Sequence, residues 1–238
     1  MMPKIYLFGD SITEMSFADG GWGASLTSHF ARKADVVLRG YSGYNTRWAL
    51  KVIDRVFPAA VGDEPPLAVT VFFGANDASL PDRNSAFQHV PLDEYKRNLL
   101  AIVAFFKKKW PSTRIILITP PPIDEEARLR NPYAENPMGL PERTNEAASQ
   151  YAKTCVEVAD ECGLPAINLC EMMQQFPDWR KAHLSDGLHL AEKGNKLVFT
   201  ELIKVLAEEQ ISAETLPADL PLYYQIDPND PLRVFEEK

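Results

Sequence analysis

Short apolar runs alternate with helix-like segments along the chain, and this alternation limits the folds that it can adopt. The runs are rich in β-branched and aromatic residues without strict apolar–polar alternation, which is typical of strands buried on both faces of a sheet. They occupy residues 5–8, 36–39, 67–73, 115–119 and 165–169. Five such strands predict a parallel sheet.

The helix-like segments have apolar residues at three- and four-residue spacing. They cover residues 22–33, 47–57, 92–109, 142–161 and 191–209. Strands that alternate with helices form a sheet covered by helices on both faces. The sequence therefore predicts a three-layer α/β/α sandwich with a five-stranded parallel sheet.

Two stretches depart from this alternation. Residues 120–141 are rich in proline and cannot form one long helix, so we expect a loop that acts as a lid or a pocket wall. Residues 212–238 combine prolines with Tyr223, Tyr224 and Phe235. We expect a catalytic domain over residues 1–211, followed by an extended tail over 212–238. The tail would pack on that domain or on the partner protomer of a homodimer.

The net charge and the cysteines narrow the function classes. A net charge of −8 argues against nucleic acid as a partner. No apolar run reaches the ~18 residues of a membrane-spanning helix. A secretory signal of ordinary length would remove Ser11 on cleavage, and the spacing of Cys155, Cys162 and Cys170 favours reduced thiols. We therefore expect a cytoplasmic protein.

Four short motifs carry the chemistry. Gly9-Asp10-Ser11, Gly40-Tyr41-Ser42-Gly43 and Gly74-Ala75-Asn76-Asp77 each follow a predicted strand, and Asp186-Gly187-Leu188-His189 precedes the last helix. In a parallel α/β sheet, ligands bind outside the carboxyl ends of the strands. The motifs are therefore expected to converge at one edge of the sheet.

The residue types in these motifs fit acyl transfer. Ser11 can act as a nucleophile, while Asp186 can fix the tautomer of a His189 base. Gly43 and Asn76 can donate hydrogen bonds to an oxyanion. Each residue also has a structural interpretation: Ser11 fits a helix N-cap, Gly43 a plain turn and Asn76 an Asx-turn. Asp10 is expected to be structural.

Two other motif interpretations are weaker. Ser42 resembles the start of a Gly-x-Ser-x-Gly nucleophile elbow, but Tyr44 stands where the second glycine is required. His183, Asp186 and His189 are spaced like metal ligands, but no further acidic or histidine cluster accompanies them.

Together the four motifs resemble those of the SGNH (GDSL) hydrolase family, which has serine, glycine, asparagine and Asp-x-x-His blocks in this order. The resemblance spans residues 5–200 and holds at all four blocks. The longer strings at residues 7–14 and 39–51 are similar to one branch of the family, the isoamyl acetate-hydrolysing esterases.

The resemblance implies a flavodoxin-like fold and a serine esterase that needs no metal or cofactor. Ser11 would attack the ester, His189 would be the base and Asp186 would hold the imidazole. The backbone N–H groups of Ser11 and Gly43 and the side chain of Asn76 would form the oxyanion hole. The substrates would be small esters of short acids, such as acetate esters, and the reaction would pass through an acyl-enzyme.

Two other function classes remain open at this point. One is a metal-dependent phosphoesterase that uses Asp10, Asp186 and His189. The other is a non-catalytic nucleotide or flavin binder with the same fold. Against the second, the first turn lacks a Gly-x-Gly-x-x-Gly pattern, and Asp10 puts a carboxylate where a phosphate would bind.

Overall fold

The computed structural model describes residues 2–58 and 64–236, and its centre is a sheet of five parallel strands. The strands are β1 (Lys4–Gly9), β2 (Asp35–Gly40), β3 (Ala68–Phe72), β4 (Arg114–Ile118) and β5 (Ala166–Ile167). Their spatial order is β2-β1-β3-β4-β5. This is the strand order of flavodoxin-like folds, and it confirms the predicted fold class.

Helices cover both faces of this sheet. The described α-helices are α1 (Ser11–Glu14), α2 (Trp22–His29), α3 (Thr46–Val56), α4 (Leu92–Lys109), α5 (Glu125–Arg130), α6 (Asn145–Cys162), α7 (Leu169–Gln174), α8 (Trp179–Ala182) and α9 (Glu192–Glu208). In β1, Ile5 and Leu7 belong to one core with residues of α2 and α9. Phe8 belongs to the other core, with residues of α3, α4 and α6. Alternate strand residues therefore fill two separate cores.

Polar caps explain where two predicted element boundaries are wrong. The fifth strand was expected over residues 165–169, but the Asn168 side chain caps α7 and ends the strand after Ile167. The fourth predicted helix, which is α6 in the structure, was expected to begin at residue 142. It begins at Asn145 because the Thr144 side chain accepts a hydrogen bond from the N–H of Ala147. Residue 142 is thereby free to enter the interior.

The two irregular stretches have different structures. As expected, residues 120–141 do not form one long helix. They contain the short helix α5, which Asp124 caps. In the tail, the Lys33 Nζ donates to the Leu216 carbonyl at 2.7 Å and Arg32 pairs with Asp219 at 3.0 Å. Beyond this point Tyr223 is 84% exposed. That the tail packs on its domain or on a partner protomer stays a prediction.

In the described parts of the chain, no helix is long and apolar enough to cross a membrane.

Candidate active site

Ser11 lies at the carboxyl end of β1, where the chain turns into α1. The carboxylate of Asp10, not Ser11, caps this helix and accepts a hydrogen bond from the N–H of Ile12 at 2.9 Å. The N-cap interpretation of Ser11 is therefore wrong, and the expected structural role of Asp10 is confirmed. Ser11 itself is the first helical residue, and its hydroxyl is free to bond elsewhere.

A chain of hydrogen bonds joins Ser11 to the loop before α9. The Oγ of Ser11 is 2.9 Å from Nε2 of His189, and Nδ1 of His189 is 2.9 Å from Oδ2 of Asp186. The other oxygen of Asp186 accepts from the backbone N–H groups of Leu188 and His189. The structure thus brings together the three residues that the sequence predicted, although Ser11 and His189 are 178 positions apart.

The surroundings of Asp186 keep it ionised. Burial alone would raise the pKa of Asp186, but hydrogen bonds from His189 and Leu188 hold it far below its ordinary value. The Nη1 of Arg128 also binds Oδ2 of Asp186 at 2.8 Å. An ionised Asp186 accepts the proton on Nδ1 of His189, which leaves the Nε2 lone pair directed at the hydroxyl of Ser11.

The two other predicted residues, Gly43 and Asn76, lie in the loops after β2 and β3. Gly43 has φ of +79°, a left-handed conformation that glycine adopts readily. Asn76 donates from Nδ2 to the carbonyl of Tyr44 at 2.9 Å, and its Oδ1 accepts from Arg143 at 3.0 Å. Because its described side-chain contacts lie far along the chain, the Asx-turn interpretation of Asn76 is wrong.

A buried charge network that the sequence did not indicate lies behind these residues. Oε1 of Glu142 accepts from Arg128 at 2.6 Å and from Arg143 at 3.2 Å. The three side chains are no more than 5% exposed. No sequence signal identified them, because charged residues beside a proline-rich segment are typical of solvated loops.

The competing motif interpretations are not supported by the geometry. Ser42 is exposed, and its backbone N–H donates to Glu14. Among the described residues, no group of three or more His, Cys, Asp or Glu side chains could hold a metal ion. The alternatives that use Asp10 or His183 with Asp186 and His189 also conflict with the ring of His189, whose two nitrogens already bind Ser11 and Asp186.

A cavity of about 570 Å³ opens beside His189 and the start of α1. Its wall combines apolar side chains with two carboxylates. The lining residues are Ile12, Met15, Ala18, Asp19, Gly20, Gly21, His189, Leu190, Glu192 and Asn195. The described wall therefore carries negative charge and no lysine or arginine.

Comparisons with known proteins agree with this geometry. Residues 5–202 match the family described as GDSL-like lipase/acylhydrolase. The chain is 65% identical to a GDSL esterase/lipase of Arabidopsis thaliana, in an alignment that covers 100% of this chain and 99% of that protein. It is 44% identical to an isoamyl acetate-hydrolyzing esterase 1 homolog of Bos taurus, over 94% of this chain and 88% of that protein.

A solved structure agrees as well. The crystal structure of the lipase/acylhydrolase from Enterococcus faecalis superposes on this chain with a TM-score of 0.67 at 27% sequence identity. The superposition covers 92% of this chain and 100% of the Enterococcus faecalis chain. With this fold, these motifs and these relatives, the chain belongs to the GDSL-like lipase/acylhydrolase family of serine ester hydrolases.

Proposed function

We propose that this esterase hydrolyses small, uncharged esters of short acids with Ser11 as nucleophile, His189 as base and Asp186 as the group that orients the base. The observation that carries the proposal is the continuous hydrogen-bond chain from Ser11 through His189 to Asp186. A serine hydroxyl is a weak nucleophile alone, and an oriented imidazole within hydrogen-bond distance activates it.

The reaction follows from this geometry in two halves. The Oγ of Ser11 attacks the ester carbonyl while Nε2 of His189 takes the hydroxyl proton, and Asp186 stabilises the resulting imidazolium. The tetrahedral intermediate then expels the alcohol, which receives that proton from His189. In the second half a water molecule, deprotonated by His189, attacks the acyl-enzyme. Collapse of the second tetrahedral intermediate releases the acid, and His189 returns the proton to Oγ of Ser11.

Three donors would stabilise the negative charge on the tetrahedral intermediate. The backbone N–H groups of Ser11 and Gly43 have no acceptor among the described residues. The amide nitrogen of Asn76 uses one hydrogen for Tyr44, which leaves its second hydrogen available. Preorganised donors of this kind commonly provide the largest part of the rate enhancement in acyl transfer.

The cavity beside His189 fits the alcohol part of the substrate, because His189 must reach the leaving oxygen to protonate it. The carboxylates of Asp19 and Glu192 in its wall would repel an anionic alcohol group. Ile12, Met15 and Leu190 offer contact to a short alkyl chain. The similarity to isoamyl acetate-hydrolyzing esterase homologs supports acetate esters of such alcohols as substrates.

A cytoplasmic location is part of this proposal, with a role in the breakdown of small esters and lipid-like esters. All three cysteines, Cys155, Cys162 and Cys170, carry free thiols. A reducing compartment maintains that state.

The test of the catalytic proposal combines one substitution with one label. Ser11→Ala should abolish hydrolysis of p-nitrophenyl acetate without changing the melting temperature, and a fluorophosphonate should label Ser11 in the unmodified protein. Ser42→Ala is the matched control and should remain active. Labelling at Ser42 would contradict the role of Ser11 as nucleophile. Loss of activity after treatment with EDTA would contradict the proposal and favour the metal-dependent alternative.

The substrate proposal is tested with esters of graded acyl length and with alcohols of matched size and different charge. We expect kcat/KM to fall as the acyl chain lengthens, and to be lower for O-acetyl lactate than for isoamyl acetate. Glu192→Gln should narrow the difference in kcat/KM between isoamyl acetate and O-acetyl lactate. Glu208→Gln, on the exposed face of the same helix, should not. Equal rates on the neutral and anionic alcohols would overturn the assignment of the cavity.

A further inference from the structure

One of the three donors of the proposed oxyanion hole is a side-chain amide, that of Asn76, and an amide donates only if its nitrogen faces the acceptor. The oxygen and nitrogen of an asparagine or glutamine side chain occupy similar volumes, so packing alone does not choose between the two orientations. A neighbour that can only donate does choose, because only the amide oxygen can face it. Arginine is such a neighbour, since its guanidinium has five N–H donors and no acceptor.

Arg143 makes this contact with two amides at once. Its Nη2 lies 3.0 Å from Oδ1 of Asn76 and 2.8 Å from Oε1 of Gln88. The nitrogen of Asn76 is consequently directed toward the carbonyl of Tyr44, while the nitrogen of Gln88 donates to the carbonyl of Gly43 at 3.0 Å. One guanidinium therefore orients the Asn76 donor directly and holds the Gly43 loop through Gln88.

Arg143 is itself held on its remaining sides. Its Nε donates to the carbonyl of Ala75, and its Nη1 pairs with Glu142. The same oxygen of Glu142 accepts from Arg128, whose Nη1 binds Asp186. Burial lowers the pKa of Arg143 to about 10, so the guanidinium remains charged at neutral pH. A buried cation with so many fixed partners has one accessible position.

We propose that Arg143 is a positioning residue that sets the oxyanion hole, by fixing the amide of Asn76 directly and the loop of Gly43 through Gln88. Glu142 anchors Arg143 and links it, through Arg128, to Asp186. The proposal rests on the catalytic roles proposed above, and it adds residues that do not touch the reacting atoms.

The test separates positioning from a merely structural role by the pattern of kinetic constants. Arg143→Met should lower kcat about 10- to 100-fold with little change in KM, because the affected donors act on transition-state charge. A small trifluoromethyl ketone forms a covalent adduct with Ser11, and this adduct carries an oxyanion. The affinity of the protein for this inhibitor should fall by a similar factor. Arg114→Met, at the opposite end of the sheet, is the matched control and should leave both quantities unchanged.

A double substitution tests whether Arg143 acts through Asn76. If it does, Arg143→Met should cost much less in the Asn76→Ala background than in the unmodified protein, because the group that it positions is already gone. Should Arg143→Met not fold, Arg143→Lys carries the test, since lysine keeps a cation against Glu142 but cannot bind both amide oxygens in the same planar geometry.

The outcomes also distinguish this proposal from the catalytic proposal. An active Ser11→Ala protein would refute the catalytic roles themselves. An inactive Ser11→Ala protein with Arg143 variants of unchanged kcat would refute the positioning role alone. A raised KM with unchanged kcat, or costs that multiply fully in the double variant, would also overturn it.

Discussion

At the scale of single residues, the site depends on how each polar atom divides its hydrogen bonds. Asn76 accepts from Arg143 and donates to Tyr44, and still has one N–H to offer. Asp186 gives one oxygen to backbone N–H groups and the other to His189 and Arg128. In both residues the structural bonds fix the atom that the proposed chemistry uses.

The first prediction concerns Asn76. Asn76→Ala removes a donor aimed at the transition state, so kcat should fall about 10²–10³-fold with KM nearly unchanged. The substitution also removes one of the acceptors of Arg143 and the donor to the Tyr44 carbonyl, which should lower stability by about 1–3 kcal/mol. Steady-state kinetics and a melting curve measure the two effects separately. A less stable but fully active protein would remove Asn76 from the mechanism.

The second prediction concerns Asp186, whose carboxylate accepts a hydrogen bond from Nδ1 of His189. Asp186→Asn should lower kcat by roughly 10²–10⁴ because the neutral amide no longer fixes the tautomer. Asp178→Asn, an exposed carboxylate near the same loop, is the control. If steady-state kinetics instead show a fully active Asp186→Asn protein, the pair is structural.

At the scale of elements, caps and turns decide where the chain changes direction near the site. Asp10 caps α1 from a fully buried position, and burial raises the pKa of its carboxyl from 3.8 to about 7. Between about pH 4 and pH 7 the folded state therefore holds a proton that the unfolded state has released. The contribution of Asp10 to stability is present below this window and is lost as pH rises through it.

The third prediction follows from this sign. Asp10→Asn keeps an oxygen for the N–H of Ile12 but removes the titration, so its stability should decline less than that of the unmodified protein as pH rises from about 4 to about 7. Urea unfolding at several pH values measures the difference. Asp54→Asn, exposed on α3, removes the same formal charge and should run parallel to the unmodified protein. If the stability of Asp10→Asn also changes with pH in parallel to that of the unmodified protein, the raised pKa of Asp10 is contradicted.

Single helices and motifs also show which features could be predicted from the sequence and which could not. The helix Leu92–Lys109 was predicted with both ends correct, and the three lysines that close it marked its C-terminus. Three of the four motifs were found because each follows a predicted strand, and the fourth because it precedes the last predicted helix. Arg143 could not be found in this way: it reaches Asn76 across 67 positions, and its burial depends on the path of the segment before α6. Such a contact leaves no local pattern.

At the scale of the whole molecule, the tail divides into an anchored part and an exposed part. Ile211 is buried, and Leu216 packs against the core beside the bonds from Arg32 and Lys33. Tyr223 and Tyr224 lie beyond this anchor and are 84% and 69% exposed. Large exposed aromatic side chains are typical of surfaces that a partner covers, so a second protomer remains a candidate.

The fourth prediction uses two truncations. Removing residues 211–238, which takes the last residue of the domain together with the tail, should lower the melting temperature by about 4–8 °C, since burying Ile211 alone is worth about 2 kcal/mol. Removing only residues 223–238 keeps the anchor and should leave the melting temperature of a monomer unchanged. Light scattering shows whether the shorter deletion instead dissociates a dimer. If neither deletion changes melting or size, the tail is free of both the domain and a partner.

The separation of Ser11 and His189 by 178 positions also has a consequence for synthesis of the protein. A ribosome delivers the proposed nucleophile and oxyanion donors early, while the proposed acid–base pair arrives only with the loop before α9. A fragment that ends before residue 186 would carry Ser11 with no base to activate it. On the proposed mechanism, ester hydrolysis would therefore begin only after this loop has been translated and folded, and shorter fragments would be catalytically silent.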